Sequence, residues 1–209
     1  MRKRKNEILA IIKDDVINNA KSYFIVMVIF IVGIFLGVMF INQSKDKAEI
    51  EKYINTYIDE TKSIQNGDYF AELQKDMKSN ISLVLLLWFA GTTIIGIPIV
   101  LGVILFRGFC LGYTIASCVY VLGRMKALIF IAITILLQNI IFIPAIMILG
   151  VSSIKLYKSI VKDRRKENIK LSIVKHSIVS AIILITLIIC SIIKIEISYR
   201  LIVNFIKYF

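Results

Sequence analysis

The chain has 209 residues, a formal net charge of +12 and 58% apolar residues, whereas soluble domains of this size are about 45–50% apolar. Much of the excess lies in long uncharged runs, which excludes an ordinary soluble domain and favours an all-α protein that crosses a membrane several times. The basic residues flank these runs, as in membrane proteins oriented by lysine and arginine, and this argues against nucleic-acid binding. Three cysteines inside uncharged runs and a single histidine predict no zinc site.

Five uncharged runs are predicted to span the membrane, because a spanning helix needs about 20 apolar residues. They cover residues 22–41, 81–106, 108–123, 127–154 and 176–193. The first run has 20 residues and no small-residue cleavage site, which predicts a retained anchor. The third run has only 16 residues, so a re-entrant hairpin is the alternative to a full crossing.

The distribution of charge predicts how the spans are oriented. Residues 1–21 contain six Lys/Arg and three Asp/Glu, and residues 155–175 contain eight and two, so both segments are predicted to be cytoplasmic. Segments on the same side are separated by an even number of crossings, which requires the third run to cross. Five crossings then leave the C-terminus outside, with Arg107 on the inner side and Arg124 and Lys126 on the outer side.

The segment 42–80 is predicted to be a long extracytoplasmic loop that forms two helices. Apolar residues recur at helical spacing on both sides of a predicted helix stop at Gly67: Ile50, Tyr53, Ile54, Tyr57 and Ile58 before it, and Phe70, Leu73 and Met77 after it. Two interpretations remain open. The helices lie on the membrane surface or pack on the bundle, or they form a docking site for an extracytoplasmic partner, with Tyr53, Tyr57 and Phe70 as candidate contacts.

The basic segment 155–175 intersperses apolar residues among its lysines and arginines. This pattern predicts an amphipathic helix on the inner membrane surface. Anionic lipid is the expected partner, at about 1 kcal/mol for each well-placed basic residue. The alternative is that the segment only sets the topology.

The sequence carries no recognisable catalytic signature. The five runs contain no ionisable residue except His176 at a boundary, and ionisable residues inside spans are the usual functional candidates. The sequence also lacks four common catalytic motifs: a paired-carboxylate motif, a zinc-protease motif, a nucleophile elbow and a phosphate-binding loop. The chain is therefore predicted not to be an enzyme and to bind neither metal nor cofactor.

Two prolines and two amides interrupt the apolar pattern of the second and fourth runs. Pro98 and Pro144 bend a helix and free a backbone carbonyl. Gln138 and Asn139 are predicted at mid-membrane depth, where an unpaired amide costs several kcal/mol. We expect the amides to pair with carbonyls freed near the prolines. Interhelical hydrogen bonding and a polar site lining a pathway both remain open as their role.

Glycines mark positions where helices approach closely. Gly91 and Gly96 allow close backbone approach in the second run. Gly33–Gly37 and Gly108–Gly112 each place two flat positions on one helix face. Packing within the chain is the favoured interpretation of this spacing, and formation of a homodimer is the alternative.

Three groups of residues, in this order and among five spans, resemble the stage II sporulation protein M family. They are Gly91, Gly96 and Pro98; then Phe106, Arg107, Gly108, Phe109, Gly112, Tyr113 and Thr114; then Gln138, Asn139 and Pro144. The family shows a glycine–proline turn, a KGF-xx-GFT-like stretch and a polar motif before a proline. Arg107 stands where the family has lysine, and Tyr113 where it has phenylalanine. Glu196 resembles a family carboxylate near the C-terminus, although the proline expected after it is missing.

The resemblance implies a multi-pass protein of the sporulation septum and the engulfing mother-cell membrane. Family members are thought to recruit and position stage II sporulation proteins D and P, which cut peptidoglycan. The chain would then be a non-enzymatic scaffold. A permease-like or channel-like domain that moves a small solute with a separate partner subunit is the alternative, with Pro98, Gln138, Asn139 and nearby glycines at its site.

Overall fold

The computed structural model describes residues 14–44, 47–63, 69–93, 95–132, 135, 137–162 and 166–205. Regular structure in these ranges is entirely helical, as expected where lipid forces each segment to satisfy its own backbone hydrogen bonds. We number the helices α1 (Ala20–Gln43), α2 (Lys47–Ser63), α3 (Tyr69–Thr92), α4 (Gly96–Leu122), α5 (Arg124–Ile131), α6 (Leu137–Lys162) and α7 (Lys166–Phe205).

Four of these helices, α1, α4, α6 and α7, are long and apolar enough to cross a membrane. Their spanning segments are Ala20–Gln43, Gly96–Leu122, Asn139–Val161 and Ile169–Glu196. The prediction of an all-α, polytopic membrane protein is therefore confirmed. The first predicted span, 22–41, lies within α1, and the last, 176–193, lies within α7.

Helix α3 runs along α7 in the opposite direction and completes the bundle. The side-chain contacts extend from the Asp76–Lys194 ion pair at one end to a hydrogen bond from the Trp88 indole to Ser177, 3.0 Å long, at the other. Charged residues in its first half, such as Asp76, make α3 more polar than the four apolar helices. The predicted second outer helix is therefore the first half of a bundle helix, and the surface loop is shorter than 42–80. The predicted helix stop at Gly67 lies outside the described residues.

The predicted span 81–106 is divided by a tight turn. Helix α3 ends at Thr92 and α4 begins at Gly96, so the chain reverses direction inside this run. A side chain on Gly96 would lie 1.6 Å from the carbonyl oxygen of Ala90, so the turn requires glycine there. Pro98 stands in the first turn of α4, where a missing N–H breaks no hydrogen bond, so it starts a helix instead of kinking one.

Helix α4 joins residues that were predicted to lie in two spans. Its 27 residues continue through Arg107, which was predicted to lie in a short connection on the inner side. A single arginine does not end a helix whose backbone bonds continue on either side of it. The short third span, 108–123, is consequently the second half of a full-length helix.

Helices α1 and α4 pack side by side, in parallel, through their glycines. A side chain added at Gly37 would lie 2.2 Å from the carbonyl oxygen of Phe109, and one added at Gly112 would lie 2.2 Å from that of Ile34. Gly33 and Gly108 make equivalent approaches one turn earlier, to the carbonyl oxygens of Leu105 and Phe30. Packing within the chain is thus the role of both predicted glycine pairs, and neither face is left for a homodimer.

The fourth predicted span and the basic segment also differ from expectation. Residues 127–154 divide between the short helix α5 and the long helix α6, which begins at Leu137. Of this segment, residues 155–162 end α6 and residues 166–175 begin α7, and the two helices pair through Ser159 and Ser172 at 2.9 Å. The basic segment is therefore the tip of a helical hairpin, and its charges extend helices of the bundle instead of forming a separate surface helix.

Each long helix contributes at least one fully or almost fully buried aliphatic residue to the core of the bundle: Val26, Leu87, Ile104, Leu149 and Leu187. Large apolar side chains point outward on the same helices, and Phe35, Phe89 and Ile185 are more than half exposed. Such a surface is unfavourable in water and favourable against lipid tails.

Candidate functional site

Helix α2 lies across one end of the bundle and is held there by its aromatic and aliphatic side. Ile50 and Ile54 are buried at 3% and 0% exposure. The Tyr53 hydroxyl lies 3.1 Å from the Thr114 hydroxyl, and the Tyr53 ring meets the Tyr113 ring edge-on, with 5.3 Å between centroids. The Tyr57 ring packs in the same way on Phe130. These contacts fix α2 against α4 and α5.

The three residues predicted to dock a partner are therefore not equivalent. Tyr53 and Tyr57 face the bundle and connect α2 to it, whereas Phe70, in the first turn of α3, is 67% exposed. The opposite side of α2 presents exposed polar side chains, among them Lys52, Asn55 and Asp59. The polar side of α2 is thus open to another protein at this end of the bundle, and Phe70 is exposed as well.

Below α2, a cavity of about 260 Å³ lies among α3, α4, α6 and α7 and contains charged residues. The Asp76 carboxylate accepts a hydrogen bond from Lys194 at 2.7 Å and one from the Asn80 amide at 3.2 Å. Asn80 also donates to the Ser191 hydroxyl at 2.8 Å. Together these hydrogen bonds form a polar cluster that joins α3 to α7 inside the bundle.

Arg107 supplies a second cation to this cavity, which we call the charged cavity. It is the twelfth of 27 residues in α4, so it lies near the middle of a membrane-crossing helix. Its guanidinium stacks over the Phe142 ring at 5.2 Å from the centroid, a cation–π contact that partly offsets the loss of water. The expectation of a charge-free membrane core is wrong here, because runs were defined as uncharged and Arg107 was assigned to the gap between two of them.

Asn139 also lines the charged cavity, but its hydrogen bond differs from the one predicted. Its amide donates to the Ile135 carbonyl at 2.7 Å, one turn back in the chain, and not to a carbonyl freed by Pro98 or Pro144. Pro98 lies near the other end of the bundle, next to the α3–α4 turn. The side chain of Gln138 lies outside the part of the chain that the structure describes.

Asp76 and Lys194 were not predicted as site residues. Both flank uncharged runs in the sequence, Asp76 before the second and Lys194 directly after the fifth, where charged residues ordinarily face water. The i, i+4 spacing of Asp76 and Asn80 placed both on one helix face, and this was the available signal. Only the antiparallel packing of α3 on α7 brings Lys194 to that face.

A second cavity, of about 600 Å³, lies near the opposite end of the bundle, beside the N-terminal end of α1 and the tip of the α6–α7 hairpin. His176, predicted at a span boundary, is buried there at 1% exposure, and its Nδ1 lies 2.9 Å from the Ser152 hydroxyl. Gly91 leaves room for the ring, since an added side chain would lie 2.7 Å from Nε2. Lys155 pairs with Asp15 at the mouth of this cavity.

Comparison with known proteins identifies the family. A model of the family described as stage II sporulation protein M matches residues 26–195, which extend from α1 into α7 and so include the α3–α4 turn, Arg107 and Asn139. Searches of curated proteins and of solved structures found no match. The match covers most of the chain, and with its bundle of apolar helices the chain is a sporulation-related membrane protein that belongs to the stage II sporulation protein M family.

Proposed function

We propose that the chain is a non-enzymatic membrane scaffold that recruits peptidoglycan-degrading partners to the sporulation septum. The placement of α2 is the observation that supports this proposal. Its apolar side is fixed to α4 and α5, and its polar side faces away from the bundle. A rigid helix that presents charged and amide groups at one end of a membrane bundle suits a protein partner, because little conformational entropy is lost when the partner binds.

The orientation of the bundle belongs to the same proposal. Residues 14–19 and the α6–α7 hairpin lie at one end, joined by the Lys155–Asp15 ion pair. The sequence segments 1–21 and 155–175, to which they belong, are rich in lysine and arginine. The positive-inside rule puts this end in the cytoplasm, next to anionic lipid, and leaves α2 and the C-terminal end of α7 outside. In a septal membrane, α2 then faces the peptidoglycan, where stage II sporulation proteins D and P act.

A charge swap on α2 tests the scaffold role. The variant Lys52→Glu with Asp59→Lys keeps the net charge and changes only exposed side chains. We expect crosslinking pull-down from sporulating cells to recover the D and P proteins with wild type and to lose them at least several-fold with the variant. The matched control is Asp14→Lys with Lys170→Glu, a swap of exposed residues at the other end.

Two outcomes would contradict the scaffold role. One is full recovery of the D and P proteins with the α2 variant at normal membrane levels. The other is recovery of a nucleotide-hydrolysing subunit in place of wall hydrolases, which would favour a permease.

The charged cavity supports a second candidate function, a permease-like domain that moves a small solute with a partner subunit. Arg107, Asp76, Lys194 and Asn139 converge there, and convergent polar groups within a bundle often mark a transport pathway. In the variant Asn139→Leu, a permease loses solute flux while its partners stay bound. A scaffold instead keeps both its partners and its engulfment activity.

A further inference from the structure

We infer that the charged cavity is a binding site for a phosphate group, supplied either by free phosphate or by the headgroup of an anionic lipid. The inference is independent of the scaffold role, because it rests on a region that does not include the exposed side of α2. Among the lining residues that the structure describes, two are cationic, Arg107 and Lys194, and one is anionic, Asp76.

The two cations differ in what they contact. Lys194 lies 2.7 Å from Asp76, so each charge of that pair offsets the other. Arg107 stacks on the face of the Phe142 ring, a weaker partner than a carboxylate. A single carboxylate cannot neutralise both cations, although Asp76 also acts on Arg107 electrostatically. One positive charge near the middle of a membrane-crossing helix is therefore left over, and an anion offsets the cost of burying it.

The size and chemistry of the cavity fit a phosphate. Its volume of about 260 Å³ is several times the roughly 30 Å³ that one water molecule occupies in the liquid, so a polyatomic anion can enter. The planar fork of Arg107 matches two oxygens of a phosphate, and the polar residues Ser79 and Asn80 also line the cavity. A cation would be repelled by the net positive charge.

The test uses the full chain, purified in neutral detergent and in lipid nanodiscs, with inorganic phosphate and phosphatidylglycerol as probes. We expect phosphate to raise the Tm of the wild type in detergent, or phosphatidylglycerol to bind in preference to phosphatidylcholine by native mass spectrometry. Arg107→Gln should weaken the binding about tenfold or more, the loss expected for a charge-assisted contact. The control Arg124→Gln, at an exposed position of α5, should bind as wild type does.

The two probes distinguish the source of the phosphate. Arg107-dependent binding of inorganic phosphate identifies a small-anion site, and Arg107-dependent binding of phosphatidylglycerol alone identifies a lipid site. Binding of neither probe, or equal binding by wild type and Arg107→Gln, overturns the inference. Arg107→Lys is a control for loss of folding, because it keeps the charge and removes only the planar guanidinium. This variant should bind with intermediate affinity.

Discussion

At the residue scale, the Asp76–Lys194 ion pair shows how polar groups enter this bundle at low cost. The two side chains are only 14% and 24% exposed, and Asn80 holds the second carboxylate oxygen of Asp76. Each charge compensates the free-energy cost of removing the other from water. A buried charge without a partner would keep that cost in full. The sequence alone did not predict either residue as part of a site, because their partnership depends on packing between distant segments.

The ion pair can be tested by removing one partner and then both. We expect Asp76→Leu to destabilise the bundle by about 3 kcal/mol or more, because it leaves Lys194 buried without its carboxylate. The double variant Asp76→Leu with Lys194→Leu should lose less stability than the single variant. Unfolding of the purified protein in mixed micelles, followed by circular dichroism, measures both. A double variant that is less stable than Asp76→Leu would contradict this account.

At the element scale, the paired glycines decide which helices touch. The spacing of Gly33–Gly37 and Gly108–Gly112 predicted close packing without indicating a partner, because the same flat face suits any helix. The structure shows that the two faces pack on each other, so α1 and α4 lie closer together than bulky side chains permit. The turn at Gly96 makes this possible, since it allows α4 to run parallel to α1.

Substitution of these glycines gives a graded prediction. We expect Gly37→Ala or Gly112→Ala to destabilise the protein by about 1–3 kcal/mol, because the new methyl group overlaps a backbone carbonyl that cannot move alone. Gly102→Ala is the matched control on α4, where an added side chain meets nothing within 4 Å. Micelle unfolding provides the comparison, and equal stability of all three variants would show that the close contact is unimportant.

At the scale of the whole molecule, the reversal of chain direction between α3 and α4 determines which segments lie at each end of the bundle. Helices α1, α3, α4 and α6 connect Asp15 to the α6–α7 hairpin, and the Lys155–Asp15 ion pair brings both to the same end of the bundle. The boundaries differ because Arg107 interrupts the uncharged sequence but not α4, and because α3 ends at Thr92 and α4 begins at Gly96, inside the predicted span 81–106.

Cysteine accessibility in intact cells tests this arrangement. In a background without the natural cysteines, Ile95→Cys at the α3–α4 turn should be labelled from the same side of the membrane as Lys170→Cys. Asn55→Cys on α2 should be labelled from the opposite side, because the structure puts it at the other end of the bundle. If Ile95→Cys is labelled from neither side, the result would support a continuous membrane span through this position. Labelling of Asn55→Cys from the cytosol would contradict the proposal that α2 forms an extracytoplasmic docking surface.

The sequence by itself determined that the chain is a helical membrane protein, because long uncharged runs have few stable alternatives in lipid. It also indicated the family through short glycine, proline and amide motifs, and which segments share one end, through the placement of lysine and arginine. Only the tertiary structure decided where the helices end, which glycine faces meet, and that Arg107, Asp76 and Lys194 surround one cavity. These features depend on contacts between residues up to 118 positions apart, for which local pattern carries no signal.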